Sequence, residues 1–121
     1  MSSIAEQATQ YYDKTGLPIN PWVWARLVGS ADYRLVDRSF VRPEPGHVMV
    51  TTQWFGREER TVRHRGDDPR PHTFVTRVAG GPLDGTTWYT ASAAEAQLSH
   101  WAAVQAAARL ASGVEQMWPA S

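Results

Sequence analysis

The chain contains no cysteine, which removes disulfide cross-links, thiol catalysis and thiolate metal sites together. Lysine is almost absent: Lys14 stands alone beside eleven arginines, a usage typical of GC-rich genomes. Neither sign of charge is in excess, with 12 basic and 12 acidic side chains and a formal net charge of zero. A neutral chain exerts no global pull on nucleic acid or on an anionic membrane. No apolar run approaches the roughly 20 residues that cross a bilayer, and the opening MSSIAEQATQ has neither the basic nor the apolar region of a secretion signal. A membrane is therefore not among the expected partners. Also missing are G-x-S-x-G, H-E-x-x-H, G-x-x-x-x-G-K and paired-carboxylate patterns, so no local motif announces catalysis.

What is present suits a folded domain. The 121 residues are 42% apolar and include six tryptophans, enough to bury a core in one domain spanning 1–121. Ser3-Ile4-Ala5-Glu6 is a capping box, and Ile4, Ala8, Tyr11 and Tyr12 follow at helical spacing, predicting a helix over 4–14 that stops at Gly16. Asn20-Pro21 starts a second helix, ending at Gly29. Trp22 and Trp24 are too widely spread around it to share one face, so at least one should lie near a partner or a neighbouring loop.

Strands follow at 33–41, 47–55, 73–78 and 86–90, of which HVMVTTQWF is the strongest. Its two faces both carry bulk, as a central strand covered by helix on at least one side would. Ser92-Ala93-Ala94-Glu95 is a second capping box opening a helix to Ser112, with Gly113 as its stop and 114–121 as a tail. On this helix Ala94, Leu98, Trp101, Val104, Gln105 and Ala108 share one arc, with Gln97 inside it, and are the predicted core stripe. Ala96, Ala103, Ala106 and Leu110 fall opposite, on the predicted outer face. Helices at the ends and consecutive strands between them predict an α+β fold: a four-stranded antiparallel sheet with an N-terminal helical pair and a long C-terminal helix packed on it.

Residues 57–72 break the pattern and read as a charged, exposed loop or hairpin extension. Arg60, Arg63, Arg65 and Arg70 there could track phosphates, which makes a nucleic-acid-binding regulator the alternative functional reading. Against it, five arginines and four acids leave residues 57–70 at only +1. His64, Asp67, Asp68 and His72 match no ligand spacing and sit among arginines, so no metal is expected. His47 and His100 have no sequence-local partner for acid–base work; a helix–sheet hydrogen bond is the expected role of His100. No cofactor or catalytic residue is expected. Tryptophan and arginine favour binding hot spots, and tryptophan is seldom wholly buried. Trp22, Trp24, Leu110 and Trp118 are accordingly the candidate contacts for a protein partner or a second copy of the chain.

Val50 to Gly56 (VTTQWFG), Phe74 to Val78 (F-x-T-x-V), Gly80 to Gly85 (GGPLDG) and, approximately, W-Y-x-T-x-x-E-A-x-x-x-H from Trp88 to His100 form a recognisable series. Over about Tyr33 to His100 the chain resembles small proteins encoded by bacteriophages and prophage-like regions of bacteria. It departs from them in its much longer arginine-rich insert at 57–71 and its additional N-terminal helical pair. The motifs are structural, so the resemblance implies a phage setting and no chemistry. The expected function is that of a small non-enzymatic phage-type protein acting by host-factor binding or self-association. Its expected place is the cytoplasm of a bacterial host cell, with association with the virion as the other possibility.

Overall fold

The computed structural model describes residues 9–42 and 47–120; for Arg42 and for 111–120 the description is of the backbone only. The fold is α+β. Strands β1 (Tyr11–Tyr12) and β2 (Pro18–Ile19) form a small antiparallel ribbon. Helices α1 (Pro21–Val28) and α2 (Ala31–Arg34) follow as the helical pair. Strands β3 (Leu35–Arg42), β4 (Val48–Trp54), β5 (Phe74–Ala79) and β6 (Thr87–Thr90) make an antiparallel meander in that spatial order. Helix α3 (Ala93–Ala120) packs across one face.

Local chemistry explains most of these boundaries. Asn20 Oδ1 accepts the Val23 amide at 2.9 Å while Pro21 occupies the first turn of α1. Ser92 Oγ accepts the Glu95 amide at 3.2 Å and the Glu95 carboxylate accepts the Ala91 amide at 3.3 Å, so the box that opens α3 is closed from both sides. In β4, Val48, Val50, Thr52 and Trp54 are buried beneath α3, while Met49, Thr51 and Gln53 between them are half-buried on the opposite face. Strand β4 lies between β3 and β5, as a strand with bulk on both faces should. The core divides into two clusters. Val48, Val50 and Val78 meet Ala103 and Ala107 at one end; Trp54 and Phe74 meet Ala96 at the other.

Three expectations are corrected. Residues 11 and 12 of the predicted 4–14 helix form β1 instead, and residues 1–8 lie outside the described residues. The reason is a turn. Asp13 Oδ1 accepts from the amides of Thr15 and Leu17 and from the Thr15 hydroxyl, closing a β1–β2 hairpin at Gly16. Long-range contacts then hold β1 extended: the Tyr12 amide donates to Gly56 O, the Trp54 indole donates to Tyr12 O, and Tyr11 stacks on Trp24. The helical pair is thus 21–28 with 31–34.

The second correction is the face of α3. Ala96, His100, Ala103 and Ala107 are buried against the sheet, whereas the predicted stripe points out: Leu98 is 71% exposed and Trp101 54%. Ala94, Gln105 and Ala108 are exposed with them, and Val104 and Gln97 are half-buried. Large side chains of the sheet, Trp54 and Phe74 above all, already fill the space between the layers, so small alanines let the helix approach. His100 must also face inward, because its two ring nitrogens are satisfied by hydroxyls of the sheet. Third, α3 runs through Gly113 to Ala120 where the sequence predicts a stop and a tail. A glycine inside a helix costs only about 1 kcal/mol relative to alanine, which does not by itself end one.

Candidate functional site

A buried polar cluster lies at the helix–sheet interface. His100 is fully buried. Its Nε2 is 2.9 Å from Ser39 Oγ on β3 and its Nδ1 is 2.8 Å from Thr52 Oγ1 on β4; Thr52 in turn meets Thr76 Oγ1 on β5 at 2.7 Å. Asp37 Oδ2 stands 3.7 Å from the same Nε2 and accepts from the Gln97 amide at 3.0 Å. Burial pushes the imidazole below its usual pKa, with the Asp37 carboxylate opposing part of that effect. The Ser39–His100 distance suits a nucleophile and its base, but the rest of the arrangement does not. A triad places its carboxylate on the nitrogen opposite the nucleophile. Here Asp37 and Ser39 share Nε2, and a threonine hydroxyl occupies Nδ1. The cluster therefore ties α3 to three strands, in keeping with the hydrogen-bonding role expected of His100.

The 57–72 segment is a loop whose arginines have unequal roles. The Arg60 guanidinium is nearly buried and bonds both Glu58 oxygens, at 2.7 and 2.8 Å, and the carbonyls of Asp68 and Arg70. Burial alone would raise the Glu58 pKa; hydrogen bonds from Arg60 and from the amides of Arg60 and His72 bring it down to about 2. Arg70 joins Asp68 to Glu95 at the start of α3, at 2.6 and 2.7 Å. Its guanidinium holds both carboxylates below their ordinary range. Arg63 and Arg65 are exposed at the tip. Of the four arginines in the nucleic-acid reading, two hold the loop in shape. The His64, Asp67, Asp68 and His72 side chains do not converge: Asp67 accepts the His64 amide, Asp68 holds Arg70, and the His72 ring bonds Arg70 O. Among the described residues there is no group of three or more metal-ligating side chains, and no helix long and apolar enough to cross a membrane.

The partner-contact candidates also divide. Trp22 is 82% exposed on α1, next to exposed Val23. Trp24 turns inward, stacks on Tyr11 at 4.3 Å and donates its indole N–H to Phe55 O at 2.8 Å. One tryptophan of this short helix is therefore outside and the other structural. Leu110 is exposed. The Trp118 side chain lies outside the described residues. The outer face of α3 adds Leu98 and Trp101, which the sequence reading assigned to the core; helical periodicity detects a stripe without saying which of two apolar stripes meets the sheet.

A second surface was missed altogether. The sheet face turned away from α3 carries Arg38 and Phe40 from β3, Met49, Thr51 and Gln53 from β4, Val75 and Arg77 from β5, and Thr87 and Tyr89 from β6. With Phe55 just past β4 and Glu59 and Thr61 of the following loop, it lines a concavity of about 490 Å³. Its signal was present in the sequence as the alternate positions of each strand, but pairing register decides which of those positions become neighbours. No protein-family model, curated protein or solved structure matches this chain.

Proposed function

We propose that this chain is a small non-enzymatic binding protein of phage type, acting in the host cell through protein–protein contact with a second copy of itself or with a host factor. The observation that carries this reading is the outer face of α3. Between Glu95 and Arg109 the helix has no aspartate, glutamate, lysine or arginine, and Leu98 and Trp101 project into solvent there. Full burial of an exposed apolar side chain gains about 1.5–3 kcal/mol, and with Leu98 71% and Trp101 54% exposed a partner covering both would recover the part still facing water. Ala94 and Ala102 beside them are small and exposed, which allows a facing helix to come within the 8–10 Å of ordinary helix packing. Tryptophan on such a strip is the residue type most often found at the energetic centre of an interface.

Nucleic-acid binding by the 57–72 loop is the weaker reading, because Arg60 and Arg70 are engaged within the loop and the local charge is close to balanced. Sedimentation across a range of concentrations tests the proposal. The expected result is a concentration-dependent dimer, or a defined complex with one purified host protein, abolished by Leu98→Glu with Trp101→Glu. A strict monomer with no retained partner, or association indifferent to those substitutions, overturns it.

A further inference from the structure

The sheet face opposite α3 sorts its side chains by chemistry. Arg38 pairs with Thr51, Thr51 with Arg77 and Arg77 with Thr87, so one row across the four strands carries two arginines flanking a threonine. On one side lies the row Phe40–Met49–Ala79; on the other lie Gln53, Val75 and Tyr89. The arginines are two strand spacings apart, about 10 Å, and adjacent rows are about 7 Å apart. Both arginines and Phe40 are exposed. Among the described residues neither guanidinium has a hydrogen bond or ion pair, whereas Arg57, Arg60 and Arg70 are all paired with carboxylates.

No acid occupies the open-face positions of the four strands. Asp37, the acid of β3, turns to the helix side, where it accepts from Gln97. Among the described residues, Glu59, which lines the concavity, lies 3.2 Å from Arg57, and Asp68 and Glu95, beside Tyr89, share Arg70. The face is therefore a shallow, net-positive concavity with aromatic rings on both sides of a central arginine row.

We propose that this open sheet face binds single-stranded nucleic acid, with Arg38 and Arg77 on phosphates and Phe40, Tyr89 and Phe55 as stacking platforms for bases. A broad sheet is poorly shaped for the groove of an undistorted duplex, yet it can support unstacked bases laid across its rings. Thr51, Gln53 and Thr87 supply neutral hydrogen-bonding groups between the charged and aromatic positions. An acidic peptide would satisfy the arginines but leave the aromatic positions without a counterpart. The site lies on the layer opposite the outer face of α3, so it stands independently of self-association through that helix.

Fluorescence anisotropy with labelled oligothymidylate and oligouridylate, compared with a duplex of equal length, tests the assignment. The intact chain should bind the single strands at low salt and the duplex more weakly. R38A/R77A should weaken binding at least tenfold and reduce the slope of log affinity against log salt by about 1.4, since each phosphate contact on a single strand contributes about 0.7. Phe40→Ala, an exposed position, should cost on the order of tenfold with the salt slope unchanged. The proposal is overturned by no binding of either oligonucleotide, wild-type affinity in R38A/R77A, preference for duplex, or displacement by polyglutamate at matched charge. Loss confined to R63A/R65A would move the site to the 57–72 loop and overturn it equally.

Discussion

Replacing Gly56 by alanine should be among the most damaging small changes in this protein, and its magnitude follows from two separable effects. Gly56 has φ +80°, a conformation that costs an L side chain about 1–2 kcal/mol. An added Cβ would also stand 2.6 Å from Trp54 Cζ2 and 2.7 Å from Trp24 Cδ1. Neither ring is free to retreat. The Trp24 indole donates to Phe55 O at 2.8 Å and stacks on Tyr11; the Trp54 indole donates to Tyr12 O at 3.1 Å and meets Tyr33 edge-on at 4.9 Å. Forcing a methyl into such packing costs a further 1–3 kcal/mol or so, for about 2–5 kcal/mol in all. Gly66→Ala is the internal control. Its φ is +93°, but nothing lies within 4 Å of the added Cβ, so it carries the backbone cost alone, about 1–2 kcal/mol. Urea unfolding followed by far-ultraviolet circular dichroism should place Gly56→Ala about 1–3 kcal/mol below Gly66→Ala. Equal destabilisation of the two would refute the claim that the Trp24–Trp54 pair closes rigidly on Gly56.

Two further outcomes test the polar interior. His100 is held neutral by burial, so the unfolded chain, with a histidine pKa near 6.5, binds a proton more readily than the folded one. Stability should be fully present above about pH 6.5 and decline as pH falls from there toward the lowered folded value; His100→Gln should flatten that decline in unfolding titrations, and an unchanged slope would remove His100 as its source. Arg60→Ala should release the 57–72 loop without unfolding the sheet: trypsin cleavage at Arg63 and Arg65 should accelerate about tenfold for each 1.4 kcal/mol of local stability lost. Arg60→Lys should restore little of it, because one ammonium cannot hold both Glu58 oxygens together with the Asp68 and Arg70 carbonyls, which three guanidinium nitrogens now share; unchanged cleavage in the alanine variant would contradict the pinning of the loop by Arg60.

Interactions that close within a few residues were legible in the sequence. The Asn20 and Ser92 caps, the alternation of β4 and the order of four strands followed by a long helix all depend on neighbours along the chain. So did the α+β class, since consecutive strands followed by a helix leave few ways to bury one sheet face. Tertiary structure decided whatever needed a distant partner. Tyr11 and Tyr12 have helical spacing, yet Gly56 O, the Trp54 indole and the Trp24 ring hold them extended, because propensity is worth tenths of a kcal/mol per residue and packing outweighs it. Helix α3 has an alanine stripe and a Leu–Trp stripe of comparable apolar character. Only the sheet, already filled by Trp54 and Phe74 and offering hydroxyls to His100, selects the alanine side. The two candidate surfaces, the outer face of α3 and the Arg38–Arg77 row, are consequences of that choice and of strand register, which no local pattern encodes.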